Sequence, residues 1–352
     1  MHGDVSIVFR MKNAGRNLAC VCLLTAGTVL LAGAAVSADQ SNQAAEDATL
    51  KLVPPEPLYA APTKLDRSGR ILAAVLINGR GPFRFILDTG ANTSALSPRI
   101  VEALGLQSAE GESVGVHGVT GSEMLPFVRV QTLRAGDIEL RDSRLPVLAQ
   151  HVFADADGIL GVEGLQHARV DVDFSRDRVS ISRSTRRRAP EDFMVVPARL
   201  EKNGLLLVNG RVGGVRVQII IDTGAERSLG NLPLRDALQH RVSHRDRTET
   251  TVFGVTSEVS TGTSFVAPTI SVGGARLTKL PVTFDDLHVF EIWNLADEPA
   301  LVLGMDLLGT LKRFVIDYQR QELQIKTGVP PKTGVRRCGP TECRSRIPSD
   351  DS

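Results

Sequence analysis

A strand that runs into a carboxylate and then turns at once is an awkward thing to bury, and this chain has two. Residues 84–94 read RFILDTGANTS, and residues 218–228 read QIIIDTGAERS. Each places an apolar triplet directly before Asp-Thr-Gly-Ala, at Asp88–Ala91 and again at Asp222–Ala225. One Asp-Thr-Gly is a common turn. Two in the same apolar setting point to an internal duplication, which the rest of the chain can test.

The flanking sequence keeps the register. ILAAVLINGRGPFRF precedes the first copy and GLLLVNGRVGGVRVQ the second, and both predict two strands joined by an Asn-Gly turn. VHGVTG is centred on Gly118 and VFGVTS on Gly254, and each predicts a glycine-tipped hairpin. Next come DGILGVEGL around Gly161 and ALVLGMDLL around Gly304, then VDFSRDRVSI (172–181) and IDYQRQELQI (316–325), which predict a closing hairpin in each half. The offset between copies grows from 134 residues at Asp88 and Asp222 to 143 at Gly161 and Gly304, which places an insertion near HVFEIWNLADEP (288–299). Short helices are expected at Pro98–Leu104 and Met305–Leu311. The fold class is therefore all-β, in two related halves with few short helices.

The domain limits follow. Residues 1–38 predict a secretory signal: basic Lys12 and Arg16, an apolar run from Leu18 to about Val36, then Val36-Ser37-Ala38 before Asp39. An uncleaved anchor is the alternative, because the run is nearly long enough to span a membrane. The expected place of work is outside the cytoplasm, periplasmic or secreted, with no stable membrane span after cleavage. Residues 39–66 form a polar lead-in, 67–183 the N-terminal half, 184–192 a charged linker, 193–326 the C-terminal half, and 327–352 a Gly/Pro/charge-rich tail expected to be disordered. Cys20 and Cys22 fall in the signal, so Cys338 and Cys343 in CGPTEC are the candidate disulfide of an exported protein. With 41 Lys+Arg against 40 Asp+Glu, no global field invites nucleic acid.

The two DTGA loops, the Gly118 and Gly254 tips, and the Ile159-Leu160-Gly161 and Val302-Leu303-Gly304 segments together resemble the aspartic proteases, in particular the retropepsin-like group of exported bacterial enzymes. The resemblance covers roughly residues 68–326. It implies two β-barrel halves related by a pseudo-two-fold axis, with Asp88 and Asp222 meeting there as the catalytic pair. One chain carries both copies, so a monomer is expected. The family's chemistry needs no cofactor and no metal: two close carboxylates share a proton, and one activates a water while the other donates to the scissile carbonyl of a protein or peptide substrate. The resemblance makes Thr89, Gly90, Thr223 and Gly224 the supporting loop residues. Thr89 and Thr223 would bond across from loop to loop, and the glycines allow close approach. His117, Gly118, Phe253 and Gly254 would form flaps over the substrate.

This sequence departs from the pepsin-like pattern in places. Ala91 and Ala225 stand where that group has a hydroxyl, the tips carry no tyrosine, and Asn92-Thr93 is answered by Glu226-Arg227. The competing function is a non-catalytic exported peptide-binding module with a degenerate protease fold. Elsewhere His240 and His244, with Asp246 nearby, have metal-like spacing, but their polar surroundings favour a solvated loop. Arg186–Arg188 read as a solvated linker.

Overall fold

The computed structural model describes residues 7–9, 61–62, 69–201, 203–242, 247–278 and 280–327. Apart from Ile7–Phe9, the expected signal segment lies outside the described residues, as do most of the lead-in, the tail with Cys338 and Cys343, and His244 with Asp246.

In the N-terminal half the strands are β1 (Ile7–Phe9), β2 (Ala61–Pro62), β3 (Leu72–Ile77), β4 (Arg80–Leu87), β5 (Ala95–Leu96), β6 (Ser108–Gly118), β7 (Ser122–Ala135), β8 (Ile138–Pro146), β9 (Gly158–Leu160), β10 (Ala168–Asp173) and β11 (Arg178–Arg183), with helix α1 at Pro98–Leu104. The C-terminal half has β12 (Met194–Leu200), β13 (Leu206–Val212), β14 (Val215–Ile221), β15 (Leu229–Gly230), β16 (Thr248–Phe253), β17 (Val259–Val266), β18 (Ile270–Val272), β19 (Ala275–Leu277), β20 (Pro281–Phe284), β21 (Ala300–Leu303), β22 (Arg313–Asp317) and β23 (Glu322–Lys326). Its helices are α2 (Leu232–Leu238), α3 (His288–Ile292) and α4 (Met305–Leu308).

The halves repeat one plan. The β3–β4 hairpin answers β13–β14, and the strand carrying the aspartate runs parallel to an apolar strand that arrives much later in the chain. β4 lies beside β9 with Leu87 opposite Leu160, and β14 lies beside β21 with Ile221 opposite Leu303. This explains the unalternating triplets. Phe85 and Leu87 enter the main core while Ile86 packs into a second cluster on the other face. Ile219 and Ile221 are likewise separated from Ile220. A strand covered on both faces needs apolar residues at every position.

Helices α1 and α2 are true counterparts. Ser97 caps the first and Asn231 the second, each accepting a hydrogen bond from the N–H three residues on, and each helix has Pro in its first turn. The sequence reading had no helix at Leu232–Leu238. It also extended the last helix to Leu311, whereas α4 ends at Leu308 with Gly309 as its cap.

The closing hairpins do more than close each half. β10 pairs with β22 across the halves, from Arg169 opposite Asp317 to Asp173 opposite Arg313. With β2, β11, β23 and β12 they form one continuous run of six strands. The main core draws on both halves, from Ile71 to Ile325. This shared core holds the two aspartate strands at a fixed separation.

Candidate active site

β4 and β14 end at the pseudo-two-fold axis, and each delivers an aspartate there. The Asp88 N–H donates to Leu160 O at 2.9 Å, and the Asp222 N–H to Leu303 O at 3.1 Å, so the parallel strand anchors the loop at its root. Each carboxyl then turns back on its own loop. Asp88 Oδ1 accepts from Gly90 N (2.9 Å) and Ala91 N (3.0 Å), and Asp222 Oδ1 from Gly224 N (2.8 Å) and Ala225 N (3.1 Å). The alanines thus contribute through the backbone where a hydroxyl would contribute through a side chain.

The loops are tied to each other by their threonines. Thr89 Oγ1 donates to Ile221 O at 2.6 Å and accepts from Thr223 N at 3.1 Å. Thr223 Oγ1 donates to Leu87 O at 2.6 Å and accepts from Thr89 N at 3.2 Å. All four bonds are buried, so each group in them would be costly to leave unpaired. The glycines set how closely the loops approach. A Cβ on Gly90 would lie 2.6 Å from Asp222 Cγ, and one on Gly224 would run into the Asp88 carboxyl.

Asp88 is 2% exposed and Asp222 is fully buried. The Asp222 carboxyl is held well above its ordinary range, first by burial and then by the charge of Asp88, against the opposing pull of the Gly224 and Ala225 N–H groups. Such a pair keeps a proton where two separate aspartates would lose both. Tyr318, which follows the closing strand β22 and belongs to neither tip, lies within the field of both carboxylates. Burial raises its hydroxyl, and the charges of Asp88 and Asp222 raise it further.

Two half-buried acids support the loops from behind, and sequence reasoning missed both. Ser94 and Ser228 each stand six residues after an aspartate; Glu163 and Asp306 each stand two residues after the supporting glycine. Glu163 Oε1 accepts from Ser94 N at 2.6 Å, while Ser94 Oγ accepts from Gly161 N at 3.0 Å. In the other half Asp306 accepts from Ser228 N (2.9 Å) and Ser228 Oγ (2.7 Å), while Ser228 Oγ accepts from Gly304 N (3.1 Å). Burial raises both acids, Glu163 to about 7. The signal was present in the repeat as a serine and an acid at equal offsets, but Glu opposite Asp disguises it.

The hairpin tips meet each other and pack beside the aspartate loops, Val119 in one cluster with Ala225 and Val255 in another with Ala91. The residues that penetrate are Val119 and Val255, one past the glycines singled out in the sequence. Val119 is 1% exposed and packs in a cluster of the C-terminal half with Leu207, Ile220 and Phe290; Val255 is 5% exposed and packs in a cluster of the N-terminal half with Leu72, Ile86 and Phe153. Thr120 Oγ1 donates to Glu258 O at 2.6 Å, and Ser257 N to Glu123 Oε2 at 3.2 Å. Gly118 and Gly254 lie against the opposite tip, Gly118 facing Val255 and Thr256 and Gly254 facing Val119 and Thr120. His117 and Phe253 stand on the hairpin arms, opposite Ser122 and Val259.

The aspartyl protease family model matches this chain in two segments, residues 73–163 and 208–307. The chain belongs to the aspartyl protease family. Each matched segment contains one Asp-Thr-Gly-Ala loop, one hairpin tip and one glycine-acid support, so the aspartyl protease repeat coincides with the structural repeat. The shared β10–β11 and β22–β23 hairpins lie outside both matches. A search of curated proteins found no match.

Away from this centre, His240 sits in an exposed 3-10 turn, Gln239–Arg241. Among the described residues no cluster of His, Cys, Asp or Glu has the makings of a metal site, and no helix is long and apolar enough to cross a membrane.

Proposed function

We propose that Asp88 and Asp222 are the acid and base of an endopeptidase that works outside the cytoplasm on extended peptide segments. The observation that carries this reading is the buried carboxyl pair: two acids from two repeats, bonded to their own loops, with Asp222 shifted toward the protonated form. Membership of the aspartyl protease family supports it.

In the proposed cycle one carboxyl is ionised and the other protonated. The ionised one takes a proton from water as the water oxygen bonds to the scissile carbonyl carbon. The protonated one donates to the carbonyl oxygen, giving a neutral tetrahedral diol. A proton then passes to the peptide nitrogen, the C–N bond breaks, and the pair again holds one proton. The substrate would lie extended between the pair and the flap strands, held by backbone hydrogen bonds. One chain supplies both loops, so specific activity should stay constant on dilution.

Export rests on the Val36-Ser37-Ala38 junction, and the mature protein should begin at Asp39. The test of the chemistry is separate Asp88→Asn and Asp222→Asn variants, checked for folding by circular dichroism and assayed on a peptide library. Each should lose on the order of 10²–10⁴ in rate. Near-normal cleavage by either folded variant would overturn the proposal.

A further inference from the structure

Helix α3 opens with His288-Val289-Phe290, which repeats His151-Val152-Phe153 of the 3-10 turn Gln150–Phe153, and it grips the flap of the other half. Val289 N donates to Val119 O at the tip of the β6–β7 hairpin, 3.2 Å away. Beside this bond lies a chain of four side chains. Ser122 Oγ is 2.6 Å from His117 Nδ1 and 2.7 Å from His288 Nε2, and His288 Nδ1 is 3.3 Å from Glu291 Oε2. The two imidazole rings are 5.8 Å apart, centre to centre. The opposite tip has no such chain among the described residues: Val255 is held by Leu148, Val152 and Phe153 through apolar contact.

We propose that His117, Ser122, His288 and Glu291 form a proton-operated clasp that locks the N-terminal flap to α3 and releases it in mild acid. Ser122 has one O–H and two lone pairs. With neutral rings it donates to one imidazole and accepts from the other. A proton on His288 leaves its Nδ1 facing Glu291. His288 then still donates from Nε2 to Ser122, and Ser122 donates to His117 Nδ1, so the clasp survives. A second proton turns His117 Nδ1 into a donor. The Ser122 proton loses that acceptor, and two cations face each other across one hydroxyl.

Carboxylates flank the clasp: Glu291 on α3, Glu123 next to Ser122, Glu258 on the opposite tip, and Asp285 and Asp286 ahead of α3. Glu123 and Asp285 are already engaged, with Ser257 N and Ser260 Oγ. Histidine changes charge between about pH 5 and 8, which sets the window. Asp88 and Asp222 are buried, and Val119 shares a cluster with Ala225 of the Asp222 loop, so releasing this flap loosens the packing beside the pair. The clasp stands whether or not those carboxylates hydrolyse peptide.

Hydrogen exchange read by mass spectrometry tests this directly. Protection of residues 115–125, corrected for intrinsic exchange, is compared at pH 7.5 and 5.0, with residues 168–173 of the shared sheet as the reference. Repulsion between the two charged rings, with the Ser122 proton left without its acceptor, should lower flap protection roughly tenfold at pH 5.0 in the natural protein. Ser122→Ala should show that low protection at both pH values. His117→Gln and His288→Gln should each remove most of the pH dependence. Equal flap protection at both pH values in the natural protein, no effect of Ser122→Ala, or a pH response that survives both glutamine variants would overturn the clasp.

Discussion

Glu163 should make this protein less stable as pH rises through neutrality, and Glu163→Gln should remove that loss. The side chain is half-buried, its carboxyl turned in behind the Asp88 loop, with Oε1 accepting from Ser94 N and Oε2 buried against Gly161 without a hydrogen-bond partner. Burial lifts its pKa from 4.5 to about 7, opposed by the Ser94 hydrogen bonds. A pKa raised by folding means that the native state holds a proton the unfolded chain has released. The stability linked to that proton is fully present below about pH 4.5 and is lost as pH rises to about 7. At about 1.36 kcal/mol per pH unit, the loss is ~3 kcal/mol. Glutamine keeps the acceptor for Ser94 and does not titrate. Its extra N–H₂ has no acceptor there, which costs a constant ~1–3 kcal/mol at every pH. The assay is urea unfolding of both proteins from pH 4 to 8, taking the difference in unfolding free energy at each pH so that all other groups cancel. The difference should move in favour of the glutamine variant by ~3 kcal/mol between pH 4.5 and 7.5. A flat difference would show that Glu163 is ionised in the folded protein throughout, and the argument from burial would be wrong.

The other predictions concern the paired loops. Thr89→Val or Thr223→Val removes a hydroxyl that donates to one backbone carbonyl and accepts from one backbone N–H, leaving both buried; each should cost ~2–5 kcal/mol in denaturant unfolding. The double variant should be non-additive by ~0.5–3 kcal/mol, because the two threonines share one network. Gly224→Ala forces a methyl group into the Asp88 carboxyl and should cost ~1–3 kcal/mol in thermal unfolding while abolishing peptide cleavage. Tyr318→Phe deletes a buried hydroxyl that has no hydrogen-bond partner, so stability should hold or rise by up to ~1 kcal/mol; a clear loss would show that the hydroxyl is bonded.

The parts of this fold that were legible in the sequence are those encoded locally and twice. An apolar triplet before Asp-Thr-Gly-Ala declares a buried strand and a tight loop, and finding it again at Asp222 turns a common turn into half of a site. The proline-led segment from Pro98 to Leu104 declares a short helix. Its counterpart was just as readable, with Asn231 for Ser97 and Pro233 for Pro98, but the proline there stands one position later and hides the match. The supporting acids were hidden for a different reason. Glu163 and Asp306 differ by a methylene, yet both reach the backbone N–H of a serine in their own half. What repeats is the reach of the side chain to a partner about 70 residues or more away, and residue identity records that poorly.

The contacts between halves were not legible, because the pattern of one strand does not name its partner. VDFSRDRVSI and IDYQRQELQI each read as a self-sufficient hairpin, and each is one. That β10 then pairs with β22 follows from the axis relating the halves. The same axis explains the insertion. Counting offsets located extra residues near 288–299, in the C-terminal half. It could not show that they would serve the other half's flap. The tips cross at the axis, so Val119 packs among C-terminal residues and Val255 among N-terminal ones. Anything added beside the Val119 pocket therefore meets the flap of the opposite half. Helix α3 lies there, opening with the same His-Val-Phe as residues 151–153, and it brings His288 to Ser122 across 166 residues of chain. A duplication that began with two equal flaps has given one of them a polar, titratable hold and left the other an apolar one.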